Sequence, residues 1–133
     1  SSDLDEALNF DGETGPYVQY THARTCSVLN KAGIEPAADF NPELLSTKEE
    51  YQLVKTLYQF PEKVIQAMND LEPSIITRYL VDVAQDFNRF YHEHSILVED
   101  RDLRSARLAL VASTKITLAN GLKLIGLSAP ERV

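Results

Sequence analysis

Residues 73–94 place Ile75, Ile76, Tyr79, Leu80, Val83, Ala84, Phe87, Phe90 and Tyr91 at spacings of one, three and four. An α-helix gathers such positions on one face, and a strand scatters them over two. Elsewhere in the chain no segment alternates apolar and polar residues at period two for long enough to make a strand. The sequence is therefore restricted to an all-α fold, with a long amphipathic helix from about Pro73 to His94.

The rest of the chain reads as helices separated by breakers. Residues 1–15, with Gly12 and Gly15, read as a loop, and Pro16 suits a helix start because its missing N–H falls among the unpaired first-turn donors. A first helix follows over 16–32, with Gly33 where a left-handed terminator belongs. Residues 33–46 contain Gly33, Pro36 and Pro42 and read as a linker. Ser46 and Glu49 have capping-box spacing, and Tyr51, Val54, Leu57 and Tyr58 continue a second helix. Pro61 restarts the chain, with Val64, Ile65, Met68 and Leu71 on a third helix. Beyond the polar segment 95–102, residues 103–120 are apolar on nearly every side, which predicts a fifth, central helix against which the others pack. Gly121 and Gly126 then bracket a short apolar piece. The expectation is a bundle of about five helices in one domain spanning 16–133, with 1–15 as a junction.

Composition narrows the function. The 133 residues contain 13 basic and 20 acidic side chains, a net charge of −7, which disfavours a polyanionic partner on average. The distribution is uneven: residues 1–50 hold three basic and ten acidic groups, 51–100 four and eight, and 101–133 six and two. A surface facing nucleic acid or membrane, if there is one, belongs to the last third. Cys26 is the only cysteine and cannot form an internal disulfide, no window approaches the roughly 18–20 apolar residues of a membrane span, and nothing resembles a signal peptide. A reduced, cytoplasmic setting is expected. The opening Ser1-Ser2 without Met reads as a cut from a longer polypeptide.

Catalytic chemistry is thinly represented. His92 and His94 look like a ligand pair, but residues two apart on a helix point about 200° from each other, so no metal is expected there. Cys26 has no second cysteine and fills a gap in the first helix. Phosphate-binding glycine loops and nucleophile elbows are both missing. Recognition remains. Arg101, Arg104 and Lys115 can share an exposed side of the fifth helix, while Arg107 can pair with an acid inside the bundle. Beside them Phe87, Tyr91 and His94 offer flat side chains on which an unstacked base can lie, unless the aromatic stripe is simply core.

The segment Gly12-Glu13-Thr14-Gly15-Pro16-Tyr17-Val18-Gln19-Tyr20-Thr21-His22-Ala23-Arg24 resembles the junction between the catalytic domain of arginyl-tRNA synthetases and their C-terminal helical domain. Further blocks match in order: 57–61, Glu72-Pro73, Tyr79-Leu80, Phe87-Asn88-Arg89-Phe90-Tyr91, 107–110, 120–126 and Ala129-Pro130-Glu131-Arg132. The resemblance implies the all-α DALR anticodon-binding domain of a class I synthetase, with tRNA(Arg) and the catalytic domain of the same chain as partners and neither membrane nor DNA among them. It implies that the whole enzyme uses ATP and Mg²⁺ to attach arginine to tRNA, and that this part binds no cofactor and is inactive alone, because the family's ATP-site signatures are missing from it. It implies an anticodon pocket at Tyr91, His94, Arg104, Asn120, Lys123, Arg132 and Val133. Tyr17, Gln19, Tyr20 and Arg24 would face the catalytic domain or the inner side of the tRNA. One departure stands at the end, where the family commonly has Met and this chain has the shorter, stiffer Val133.

Two other readings stay open on the residues alone. One is a helical protein-interaction module whose fourth helix offers its apolar stripe to a partner. The other is a metal hydrolase using His92 and His94.

Overall fold

The helix foreseen at 73–94 runs from Ser74 to Glu93 and is the hub of the molecule; it is named α4. A computed structural model describes the backbone of residues 2–33 and 40–132 and the side chains of 14–33 and 40–132. Among these residues the other helices are α1 (Ser2–Ala32), α2 (Lys48–Tyr58), α3 (Phe60–Asp70) and α5 (Arg101–Leu124), with a 3-10 turn at Pro42–Leu44 and no strand. The expected all-α bundle is present. No helix among the described residues is long and apolar enough to cross a membrane.

The centre is α4 rather than the fifth helix. It packs against α1, α2, α3 and α5, whereas α5 meets α1, α2, α4 and the 3-10 turn. The reason is visible along α5, which buries Ala106, Leu108, Ala109, Leu110 and Val111 but leaves Ile116 and Leu124 exposed. The apolar stripe of α4, by contrast, is buried from Ile75 to Phe90. That burial also removes the interaction-module reading in the form stated above, because no free apolar stripe is left on this helix.

Other boundaries moved for local reasons. Residues 2–15, expected to be a loop, are the first half of α1, and Pro16 lies inside it. A proline within a helix deletes one hydrogen bond, here to the Gly12 carbonyl, and the bonds on either side carry the helix through. The capping box is formed by Thr47 and Glu50, one residue beyond the expected pair: Glu50 N–H donates to Thr47 Oγ1 at 3.2 Å and Thr47 N–H to Glu50 Oε1 at 3.2 Å. Helix α5 continues through Gly121, where an added Cβ would clash with the Leu80 side chain, so the glycine is what lets α4 and α5 close up. Gly33 ends α1 with φ +70°, as expected. Residues 34–39 of the linker, and Ser1 and Val133, lie outside the described residues.

Two core clusters stack along α4. The first contains Val18, Ile76, Tyr79, Leu80, Val83, Leu118 and Leu122; the second contains Leu53, Phe87, Phe90, Ile96, Leu108 and Val111. Between them Tyr79 donates to the Thr56 carbonyl at 2.7 Å, and burial pushes its phenol above the ordinary value of 10. The second cluster is the floor of the site described next.

Candidate nucleic-acid interface

Helices α1 and α4 lie side by side and run in the same direction, joined by Asn88. Its amide donates to Tyr17 Oη at 3.1 Å and Thr21 Oγ1 at 3.0 Å, and its carbonyl accepts from Arg24 Nη1 at 2.6 Å. The amide therefore fixes the guanidinium of Arg24, which rests over the Tyr91 ring with its carbon 4.7 Å from the centroid. A cation held against an aromatic face in this way is favourable and rigid. Tyr91 is 36% exposed and packs on Phe87, ring centroids 6.1 Å apart.

Phe87, expected to offer a stacking face, is fully buried and does not reach solvent. It sits on the inner side of α4, one turn before Tyr91, so its part is to back the Tyr91 ring. Beyond Tyr91 the C-terminal ends of α1 and α4 and the following loop enclose an open groove of about 510 Å³ lined by Val28, Lys31, Tyr91, His92, Glu93, His94 and residues 95–97. Lys31, Val28 and Leu97 were not foreseen as site residues, nor was Asn88. Two signals were available for Asn88, its place in the matching block Phe87-Asn88-Arg89-Phe90-Tyr91 and its interruption of the apolar face of the fourth helix. For Lys31 the sequence held no signal, because its role depends on two helix ends meeting.

The groove wall is braced from behind by consecutive acids of α2. His94 Nε2 donates to Glu49 Oε1 at 2.8 Å, and this hydrogen bond, the largest influence, holds the Glu49 carboxyl below its ordinary value of 4.5 against the opposing effect of its desolvation. Next to it Glu50 is fully buried and receives Arg107 Nε at 2.9 Å, while Arg107 Nη1 donates to the Ser95 carbonyl at 2.6 Å. The inward pairing expected of Arg107 is thus found. Arg104 ties the same loop to α5 by donating to the Val98 carbonyl at 3.0 Å, and Arg101 is exposed one turn earlier. His92 and His94 diverge: His92 lies edge-on to Tyr91, at 5.5 Å between centroids, and His94 is taken by Glu49. Among the described residues no three His, Cys, Asp or Glu side chains are grouped to hold a metal ion.

The basic residues of α5 do not converge. Arg101 and Arg104 adjoin the groove loop, but Lys115 is about 21 Å and Lys123 about 33 Å along the helix axis from Arg101, and Asn120 is at that far end too. The expectation of one pocket holding all of them is corrected by the length of a continuous α5. The C-terminal tail partly compensates. Gln19 donates to the Ser128 carbonyl at 2.9 Å and buried His22 Nδ1 to the Pro130 carbonyl at 2.7 Å, so the tail climbs α1 toward Arg24 and ends with Arg132 exposed. Gln19 therefore binds the tail of its own domain, while Tyr20 stays 57% exposed.

Comparison with known proteins agrees with the all-α fold. Residues 18–133 match the family described as DALR anticodon binding domain. The chain is 50% identical to the arginine–tRNA ligase of Clostridioides difficile (strain 630) and 52% identical to that of Alkaliphilus metalliredigens (strain QYMF), each over 129 residues that make up 97% of this chain and 23% of the relative. Its fold resembles Thermus thermophilus arginyl-tRNA synthetase with a TM-score of 0.81 at 40% identity, covering 97% of this chain and 23% of that one. The chain thus spans less than a quarter of the length of these relatives. By the match over most of its residues, the chain belongs to the DALR anticodon-binding domain family.

Proposed function

We propose that this chain reads the anticodon of tRNA(Arg) for an arginine–tRNA ligase, the remainder of which uses ATP and Mg²⁺ to join arginine to the tRNA. The observation that carries the reading is the Arg24–Tyr91 platform at the mouth of the groove. An anticodon presents unpaired bases with flat faces, hydrogen-bonding edges and a phosphate chain, and each finds a partner here. The Arg24 guanidinium, backed by the Tyr91 ring, supplies the stacking plane, and stacking is worth about 1–3 kcal/mol per base. His94, Ser95 and Glu93 line the groove with edge-directed polar groups, and Lys31 lines it with a cation while Arg101 and Arg104 adjoin its loop. Arg132 approaches from the tail, and Tyr20 stays exposed on the α1 surface toward the tRNA or the catalytic domain, whereas Tyr17 and Gln19 are held within the domain by Asn88 and Ser128. Phe87 acts from beneath. Lys115, Asn120 and Lys123 are too far down α5 to touch the same bases as Tyr91 and serve the phosphate chain instead.

Net negative charge elsewhere turns RNA away from the other faces, so base reading is confined to this end. Titration with tRNA(Arg) and with anticodon-altered tRNA tests the proposal. Affinity should drop for the altered RNA and for Tyr91→Ala; equal binding of both RNAs would overturn it.

A further inference from the structure

Away from the groove, the end of α3, the start of α4 and the end of α5 surround an apolar hollow of about 320 Å³ lined by Val64, Met68, Leu71, Pro73, Leu124 and Ile125. Met68, Leu71 and Leu124 are 68%, 86% and 57% exposed. Scattered exposed leucines need no explanation, but aliphatic side chains contiguous around a concavity mark a surface that something covers. Leu71 adds a second, independent observation. It ends α3 in the left-handed region, φ +54°, where glycine or asparagine is the usual residue because a Cβ is disfavoured there. A leucine at this position carries the backbone strain and buries almost none of its side chain in the bundle, so the fold alone gives no reason for it.

We propose that this hollow seats the catalytic part of the same polypeptide, with Leu71 and Met68 as the anchoring side chains. The proposal rests on reading the chain as one domain of a ligase. Its relatives are about four times as long, since the chain covers 23% of them, so a large body has to be accommodated. The direction of α1 shows where. Tyr17 and Thr21 meet Asn88 while Val28 and Lys31 reach the groove beyond Tyr91, so the N-terminal half of α1 points back toward the start of α4, where the hollow opens. A body joined through α1 meets the bundle at that pole and leaves the groove free for RNA.

The test uses the intact ligase polypeptide with a photo-cross-linking amino acid in place of Met68. Illumination should join position 68 to the catalytic part of the same chain, with a yield independent of protein concentration. Cross-links between two chains that rise with concentration would seat a second copy there and overturn the proposal, as would the lack of any cross-link. A second variant, Leu71→Gly, relieves the left-handed strain and leaves the bundle at least as stable, yet should lower the intramolecular yield several-fold; an unchanged yield would also overturn it. The anticodon titration reads the groove and not this hollow. Lost cross-linking with anticodon-selective binding intact overturns the docking alone, and intact cross-linking with unselective binding supports docking while overturning the anticodon reading.

Discussion

Arg24 and Tyr91 form one unit across the α1–α4 seam: the guanidinium lies over the ring, and Asn88 grips it from below with a 2.6 Å hydrogen bond. Substituting the ring by Tyr91→Ala should cost about 1–3 kcal/mol of RNA affinity, roughly fivefold to 150-fold, with little loss of stability because the ring is partly exposed. Among the described residues the Tyr91 hydroxyl has no hydrogen-bond partner that supports the site, so Tyr91→Phe should bind RNA nearly as well as the parent. Fluorescence anisotropy with a labelled anticodon stem-loop checks both.

Lys31 belongs to the groove rim rather than to the core. If it meets a phosphate, Lys31→Ala should weaken all RNAs alike and reduce the slope of log affinity against log salt by about one. Titrations across a salt series measure that slope, and a change in anticodon preference would instead make Lys31 a base reader.

Arg107 and Glu50 are a buried ion pair, with Glu50 fully enclosed and also capping α2. Removing one partner leaves a charge without compensation, so Arg107→Ala should destabilise the domain by about 3–5 kcal/mol. The double variant Arg107→Met with Glu50→Gln should recover part of that loss. Urea unfolding of the two singles and the double gives the coupling, and strict additivity would contradict it.

Gly121→Ala tests the closest approach in the core. The added methyl would meet Leu80, which is itself fully buried and cannot swing aside, so overpacking of about 1–3 kcal/mol outweighs the roughly 1 kcal/mol gained from helix propensity. Thermal denaturation should show a lower midpoint, and Leu80→Ala in the same chain should make the methyl tolerable.

The Glu49–His94 hydrogen bond makes part of the stability pH-dependent. A carboxyl group whose folded value lies below its unfolded value adds stability above the unfolded value and loses it as pH falls through the folded one. Glu49 is such a group, its carboxyl held below 4.5 by His94. Glu49→Gln should therefore be less stable than the parent at neutral pH, and the difference should shrink as the pH falls below about 4.5. Urea midpoints measured from neutral to acid pH decide this.

Much of the fold was legible because helices announce themselves locally. The spacing from Ile75 to Tyr91, the left-handed stop at Gly33 and the proline restart at Pro61 are properties of neighbouring residues: the first and third gave α4 and the start of α3 within a few residues, and the stop gave the end of α1, though that helix starts at Ser2 rather than at the expected Pro16. The errors arose where a distant partner decided. Gly121 looked like a helix end until Leu80 was found occupying the place of its side chain, and Phe87 looked like a binding face until the second core cluster closed over it.

The residues in order were enough to give an all-α bundle and motif blocks that resemble an anticodon-binding family, and they left an inward-turned Arg107 as one option. It took the packing of the helices to make α4 the hub, bring Arg24 to Tyr91 and Arg107 to Glu50, carry Lys31 to the groove and keep Lys123 away from Arg101. Periodicity specifies which face of a helix is apolar. It carries no information about which helix that face meets or how far along it, and a nucleotide site is built from those distances.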